Sequence, residues 1–243
     1  MRFYSQYGED AILARIFPGL TGTCVEVGAN DGVTFSNSYY FEQLGWKCIL
    51  VEPTPHLCAK IRDVRKSKLY ACAASDAEGE AILYVVKGAD VYSSLEVDST
   101  KADRLENDSV KIVDIRVKTR RLDDILSESK VDNIDFISID VEGHEISVLK
   151  GFSIKLWLPK IAIIEDDTDL TDTPVCRYMQ EHGYVRFYRT GGNDWYASPN
   201  ENQFRSLPRL LLSRKWRLTG LAKAWLPVGI RRFLTLALRT IRK

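Results

Sequence analysis

Apolar residues along this chain fall into short, solidly hydrophobic blocks, and between the blocks lie stretches in which they recur at helical spacing. Residues 11–17 read as a short amphipathic helix, 23–28 as a buried strand and 36–44 as the helix that follows it. The alternation repeats with a strand at 47–52, a helix at 57–65 and a third buried strand at 68–73. Residues 81–86 and 110–118 instead alternate apolar with polar, which predicts half-buried strands flanking a polar loop, 88–107, long enough to cover a site. A helix at 122–128, a strand at 134–140, a helix near 144–150 and a strand at 160–165 continue the series. A helix at 175–182 then leads into 184–188 and 195–198, an antiparallel edge pair. Alternation of this kind predicts an α/β fold with a mostly parallel sheet, helices on both faces and an antiparallel edge.

Composition bounds the answer. With 243 residues, 45% of them hydrophobic, the chain holds one large α/β domain, placed at residues 1–200. Its 34 basic and 33 acidic residues leave a formal charge of +1, which argues for no nucleic-acid partner. The charge is unevenly spread, however: residues 201–243 carry 11 Lys and Arg against one acidic residue, so an acidic body ends in a basic tail. There Leu210, Trp216, Leu221, Trp225 and Phe233 alternate with basic residues, and Pro208 and Pro227 divide the segment. Short basic amphipathic helices of this composition suit an anionic membrane surface, the alternative being an extension packed on the acidic body or on a second subunit. Cys24, Cys48, Cys58, Cys72 and Cys176 form no C-x-x-C pair and are expected to be reduced and structural. Neither a secretory leader nor a run of about 18 apolar residues occurs, so a cytoplasmic location is expected, at the cytoplasmic face of the membrane if the tail binds there.

The chemistry is expected where strands stop, because open α/β sheets bind ligands at the carboxyl ends of their strands. The first such point is the turn Glu26-Val27-Gly28-Ala29-Asn30-Asp31-Gly32, whose glycines let a ligand approach the backbone. The second is Glu52, an acid at the end of a buried strand, able to accept two hydrogen bonds from the vicinal hydroxyls of a ribose. A dinucleotide favours a G-x-G-x-x-G turn and an uncharged helix start for its pyrophosphate, whereas Asp31 puts negative charge there. The sulfonium and ammonium groups of S-adenosylmethionine would instead be attracted by Glu26 or Asp31. The third point, Ala73-Ala74-Ser75-Asp76, leaves room for a flat adenine ring. The fourth, Asp140-Val141-Glu142-Gly143-His144, concentrates polar groups just past a long apolar strand, where their desolvation is costly without a use. Glu165, Asp166 and Asp167 end the next strand and are expected beside Asp140, although Asp166 or Asp167 could simply cap a turn.

Taken together, Ser5-Gln6-Tyr7-Gly8-Glu9-Asp10, residues 25–32, Val51-Glu52-Pro53, residues 122–126 and 139–145, and Leu149-Lys150-Gly151 resemble the FkbM family of S-adenosylmethionine-dependent methyltransferases. The resemblance spans roughly residues 4–198 and leaves the tail out. It implies a Rossmann-like domain that methylates hydroxyl oxygens, commonly of sugars in glycans or glycolipids. It also implies that Glu26, Gly28, Asn30, Asp31, Glu52 and Asp140 hold the cofactor, with Ala74, Ser75 and Asp76 near the adenine and with Gln6 and Asp10 in a segment folded over its edge. For removal of the hydroxyl proton, His144 is the first candidate, with Asp140 beside it. Mg²⁺ held by Asp140, Glu165 and Asp166 is the alternative. The rival functions are a nicotinamide-dependent oxidoreductase, against which the acidic first turn and the lack of a Tyr-x-x-x-Lys pair count, and a non-catalytic membrane-associated scaffold.

Overall fold

A computed structural model describes residues 2–19, 21–86, 94–95, 112–166 and 172–201. In chain order its elements are α1 (Glu9–Ile16), β1 (Thr23–Val27), α2 (Tyr39–Gln43), β2 (Lys47–Val51), α3 (Pro55–Val64), β3 (Lys68–Tyr70), β4 (Ala73–Ala74), β5 (Gly79–Val86), β6 (Ile112–Arg120), α4 (Leu122–Glu128), β7 (Phe136–Ile139), α5 (Glu145–Lys150), α6 (Ile154–Trp157), β8 (Ile161–Glu165), α7 (Pro174–Glu181), β9 (Val185–Thr190) and β10 (Asn193–Ala197).

The solid apolar blocks become the parallel strands of a seven-stranded sheet in the order β3-β2-β1-β7-β8-β10-β9, with β10 antiparallel to both its neighbours. Strands buried on both faces need unbroken apolar sequence, which is why β7 reads Phe-Ile-Ser-Ile and β8 Ile-Ala-Ile-Ile before its acid. The pleat divides them. Val25, Val27, Ile137, Ile139, Ala162 and Ile164 pack against α4, α5 and α7, whereas Cys24, Phe136, Ile161, Ile163 and Trp195 pack against α1 and α2. The fold is thus α/β with helices on both faces, and its strand order turns back between β1 and β7. That reversal opens a crevice at the carboxyl edge, the place where such sheets take ligands.

Three local readings need correction. The stretch expected as one strand at 68–73 splits: a turn with Cys72 N–H donating to Tyr70 C=O sends the chain out of the main sheet, and Ala73–Ala74 pairs with Thr119–Arg120. It thereby joins β5 and β6 in a separate three-stranded sheet, β4-β6-β5, where the alternating segments belong. The helix expected from residue 36 starts at Tyr39, because Ser36, Asn37 and Ser38 spend their polar groups on Glu26. Finally, α6 was not expected at all. It is one turn, its entry anchored by Ser153 N–H and Oγ on the Asp123 carboxylate. The five cysteines are free and buried, as expected of packing thiols. Residues 202–243, which carry the basic tail, lie outside the described residues, as does most of the 88–107 loop.

Candidate active site

A cleft of about 700 Å³ opens along the carboxyl edge of the sheet. Glu9, Glu26, Glu52, Asp140, Glu142 and Glu165 line it together with His144, and among the described residues no Lys or Arg does. Such a wall suits cationic or neutral ligands and disfavours a pyrophosphate.

On the side formed by β1 and β2, the carboxylates are tied to the backbone around them. Glu26 is buried and takes three donors: Ser36 Oγ at 2.8 Å, Ser38 Oγ at 2.5 Å and Asn37 N–H at 2.6 Å. Arg65 braces the same turn, donating to Gly32 C=O at 2.6 Å and Ser38 Oγ at 2.8 Å. Glu52 accepts from Asn30 N–H at 2.9 Å and Thr54 N–H at 2.8 Å, one on each oxygen. Burial pushes its carboxyl up to about 6 from the usual 4.5, against hydrogen bonds from Thr54 and Asn30 that pull it down. Gly28, at φ 85°, is required for a steric reason beyond any ligand, since a Cβ there would sit 1.8 Å from the Asp140 carbonyl oxygen. Asn30 lines the cleft in the left-handed region, which asparagine tolerates. Asp31 is used otherwise. Against the cost of burial, bonds from Thr34 and Val33 N–H and Thr34 Oγ1 hold it below the usual carboxylate range, and it is not among the lining residues.

On the side formed by β7 and β8 the carboxylates face one another. Asp140, Glu142 and Glu165 each bring an oxygen within 4.8 Å of the others. Burial, then the charges of Asp140 and Glu142, push the Glu165 carboxyl up to about 11, and it hydrogen-bonds Asp140. Glu142 reaches the cleft because the loop after β7 turns through positive φ at Glu142 and Gly143, pinned by Glu145, whose carboxylate accepts from Val141 and Gly143 N–H. Ser94 Oγ donates to Glu142 C=O at 2.7 Å, and Leu95 lines the cleft, so the described piece of the 88–107 loop does meet the site. Asp166, expected as a third oxygen ligand, is placed apart from the cleft lining: it is buried and its N–H donates to Gly192 C=O. Glu142 takes the position expected of it. His144 lines the cleft with Nε2 3.0 Å from Ser75 Oγ. That hydroxyl also donates to Asp76 at 3.2 Å. Of the three expected adenine neighbours only Ala74 lines the cleft; Ser75 and Asp76 serve His144.

The N-terminal segment crosses the mouth. Gln6 and Tyr7 line the cleft, while Asp10 turns inward and accepts from Tyr4 N–H, Ser5 N–H, Ser5 Oγ and Ala11 N–H, which positions the segment rather than a ligand. Sequence reasoning missed Glu9, which is fully buried and accepts from Thr190 Oγ1 at 2.6 Å and Asn193 Nδ2 at 3.1 Å, tying the segment to the β9–β10 turn. It also missed Asn37 and Ser138. Ser138 was findable, since it shares a strand face with Asp140 two residues on.

The profile of the family described as Methyltransferase FkbM domain matches residues 26–186. The 2-O-methyltransferase NoeI of Sinorhizobium fredii (strain NBRC 101917 / NGR234) is 31% identical over 138 residues, which are 52% of this chain and 56% of that protein. The match thus spans about half of the relative's length. A crystal structure of precorrin-6y C5,15-methyltransferase from Geobacter metallireducens GS-15 aligns over 77% of this chain and 84% of that one, at 14% identity and a TM-score of 0.37. Among the described residues no helix is long and apolar enough to cross a membrane.

Proposed function

The chain belongs to the FkbM methyltransferase family, and from that premise we propose that it moves a methyl group from S-adenosylmethionine to a hydroxyl oxygen of a sugar in a glycan or glycolipid. The observation that carries the reading is Glu52. A carboxylate has about four acceptor positions. On Glu52 two are taken by backbone N–H groups, one on each oxygen, and the Thr54 side chain takes another, which fixes the plane and leaves a position for a ribose hydroxyl. Asn30 stands beside it and Ala74 lines the same cleft, next to the space a flat base would take. The absence of Lys and Arg from the described lining fits a ligand with a sulfonium and an ammonium group. The name of the relative, a 2-O-methyltransferase, supports oxygen as the acceptor atom.

A sulfonium is already an activated donor, so the protein's tasks are alignment and proton removal. Alignment can supply about 7–11 kcal/mol when the reacting atoms are held in near-attack geometry. The proton goes to the imidazole of His144, whose ring Ser75 orients. The convergence of Asp140, Glu142 and Glu165 favours a second way of activating the hydroxyl. Three oxygen donors within 4.8 Å of one another suit Mg²⁺, which would lower the pKa of an acceptor oxygen bound beside it.

Calorimetric titration with S-adenosylhomocysteine and, separately, with NAD tests the reading, in wild type and Glu52→Ala. Binding of the first ligand alone, weakened by the substitution, is expected. Binding of NAD instead would make the chain an oxidoreductase, and binding of neither would leave the scaffold reading. Sedimentation of the full chain with anionic vesicles, compared with a variant ending at residue 200, tests the proposed membrane contact.

A further inference from the structure

The amide oxygen of Asn37 has no hydrogen-bond partner, although the residue is only 7% exposed and lines the cleft. Everything else about Asn37 is fixed. Its backbone N–H donates to Glu26 Oε1 at 2.6 Å and its Nδ2 donates to Ser138 Oγ at 2.8 Å, so the amide cannot swing to find another donor without giving up a buried bond. Ser36 and Ser38 on either side are anchored to Glu26 Oε2, and Arg65 holds both hydroxyls from behind. Buried acceptors are rarely left unmet, because their desolvation is uncompensated. A rigidly held one in a cleft wall implies that the ligand brings the donor.

The surroundings define that donor. Glu26 lies in register with Ser138 on the neighbouring strand, so its buried charge stands directly behind the Asn37 amide. The site therefore favours a cation. Glu26 already takes three donors on its two oxygens, so at most one acceptor position is left there for a ligand. β1 lies between β2, which presents Glu52, and β7, which presents Ser138. A ligand with its ribose on Glu52 thus extends past the Asn37 amide on its way to His144.

We propose that Asn37 Oδ1 receives the α-ammonium group of the methionyl part of the methyl donor, with Glu26 as the fixed negative charge behind it. The proposal rests on the methyl-donor reading of the cleft and adds to it the residue that recognises the amino-acid end.

The test is calorimetry on the full chain with three ligands: S-adenosylhomocysteine, its analogue lacking the α-amino group, and 5′-methylthioadenosine, which lacks the amino-acid part. In wild type, loss of the amino group is expected to weaken binding by roughly tenfold or more, the range of a hydrogen bond to a charged group. Asn37→Ala is expected to weaken S-adenosylhomocysteine by the same factor while leaving the deaminated analogue and methylthioadenosine within about twofold. Asn37→Asp keeps the acceptor and is expected to retain binding. Equal weakening of all three ligands by Asn37→Ala would mean a structural role and overturn the proposal. So would a wild type that does not distinguish S-adenosylhomocysteine from its deaminated analogue, a result that needs no variant to fold. If wild type binds none of the three, the methyl-donor reading itself has failed.

Discussion

The two halves of the cleft treat their carboxylates in opposite ways. Beside β1 and β2, Glu26 and Glu52 are each held by backbone N–H groups, hydroxyls or both, so their oxygens are aimed before any ligand arrives. Beside β7 and β8, Asp140, Glu142 and Glu165 crowd one another, and their mutual repulsion helps keep a proton on Glu165. The first half is fixed before any ligand arrives, which would suit an invariant ligand such as the proposed methyl donor. The second carries an electrostatic demand that a proton, a cation or an acceptor's hydroxyls can meet. Preorganisation belongs with the constant partner and adaptability with the reacting one.

Gly28 is where the halves touch, and substituting it tests whether they form one unit. Gly28→Ala places a methyl group on the Asp140 carbonyl and strains a backbone at φ 85°, so β1 and β7 must part. We expect a stability loss of about 3 kcal/mol or more in urea denaturation, together with loss of S-adenosylhomocysteine binding. Gly143→Ala is the control. It also has positive φ, 106°, but nothing stands within 4 Å of the added carbon. Its cost should be only the strain, about 1–3 kcal/mol, with binding retained. Equal effects at the two positions would mean that strain, and not the contact between the halves, matters at Gly28.

His144→Gln separates the halves kinetically. If the imidazole of His144 takes the proton, kcat should fall about 10²–10⁴-fold while the affinity for S-adenosylhomocysteine stays within about twofold. A fall in affinity instead would place His144 with the donor.

Glu52 gives the first half a pH signature. Its carboxyl sits at about 6, so the free protein carries a proton there at lower pH, whereas a ribose diol needs the ionised form. Affinity for S-adenosylhomocysteine is expected to fall by roughly tenfold for each unit below pH 6. Folding responds in the opposite sense: with the folded value raised above 4.5, the contribution of Glu52 to stability is complete below 4.5 and lost as pH rises through 6. His56, whose charge draws the value down, faces the same carboxyl. Glu52→Gln should therefore bind more weakly at pH 8 and show no further loss between pH 7 and 5, read by calorimetry across the range.

How far the site was legible follows from which contacts are local. The strand ends carrying Glu26, Glu52 and Asp140 could be read because a buried strand announces itself by its apolar run and the acid follows within the same segment. Asn37 could not, because its meaning depends on Ser138, 101 residues away. Glu9 was hidden for the same reason, its partners being Thr190 and Asn193. The choice of Asp166 as a partner of Glu165, by contrast, was avoidable. Side chains alternate along a strand, so if Glu165 continues the face of Ile161 and Ile163, Asp166 must turn toward the opposite one. The split of 68–73 into two sheets left no sequence signal, since Cys72 and Ala73 are buried in either arrangement.

The same alternation makes the smallest prediction the most discriminating. If the crowding of Asp140, Glu142 and Glu165 is the demand of a cation site, Mg²⁺ at about ten times its dissociation constant should stabilise the folded chain by roughly 1.4 kcal/mol, a rise of about 3–6 °C in Tm for a chain of this size. Glu165→Gln should abolish the rise, because it removes one of the three convergent oxygens. Asp166→Asn should leave it intact, although the two carboxyl groups are adjacent in sequence. A rise lost with Asp166 but kept with Glu165 would put the cation on the other face of β8. No rise at any Mg²⁺ concentration would mean that a proton alone relieves the crowding, leaving His144 to activate the acceptor, and the two halves would then differ in protonation and not in what they bind.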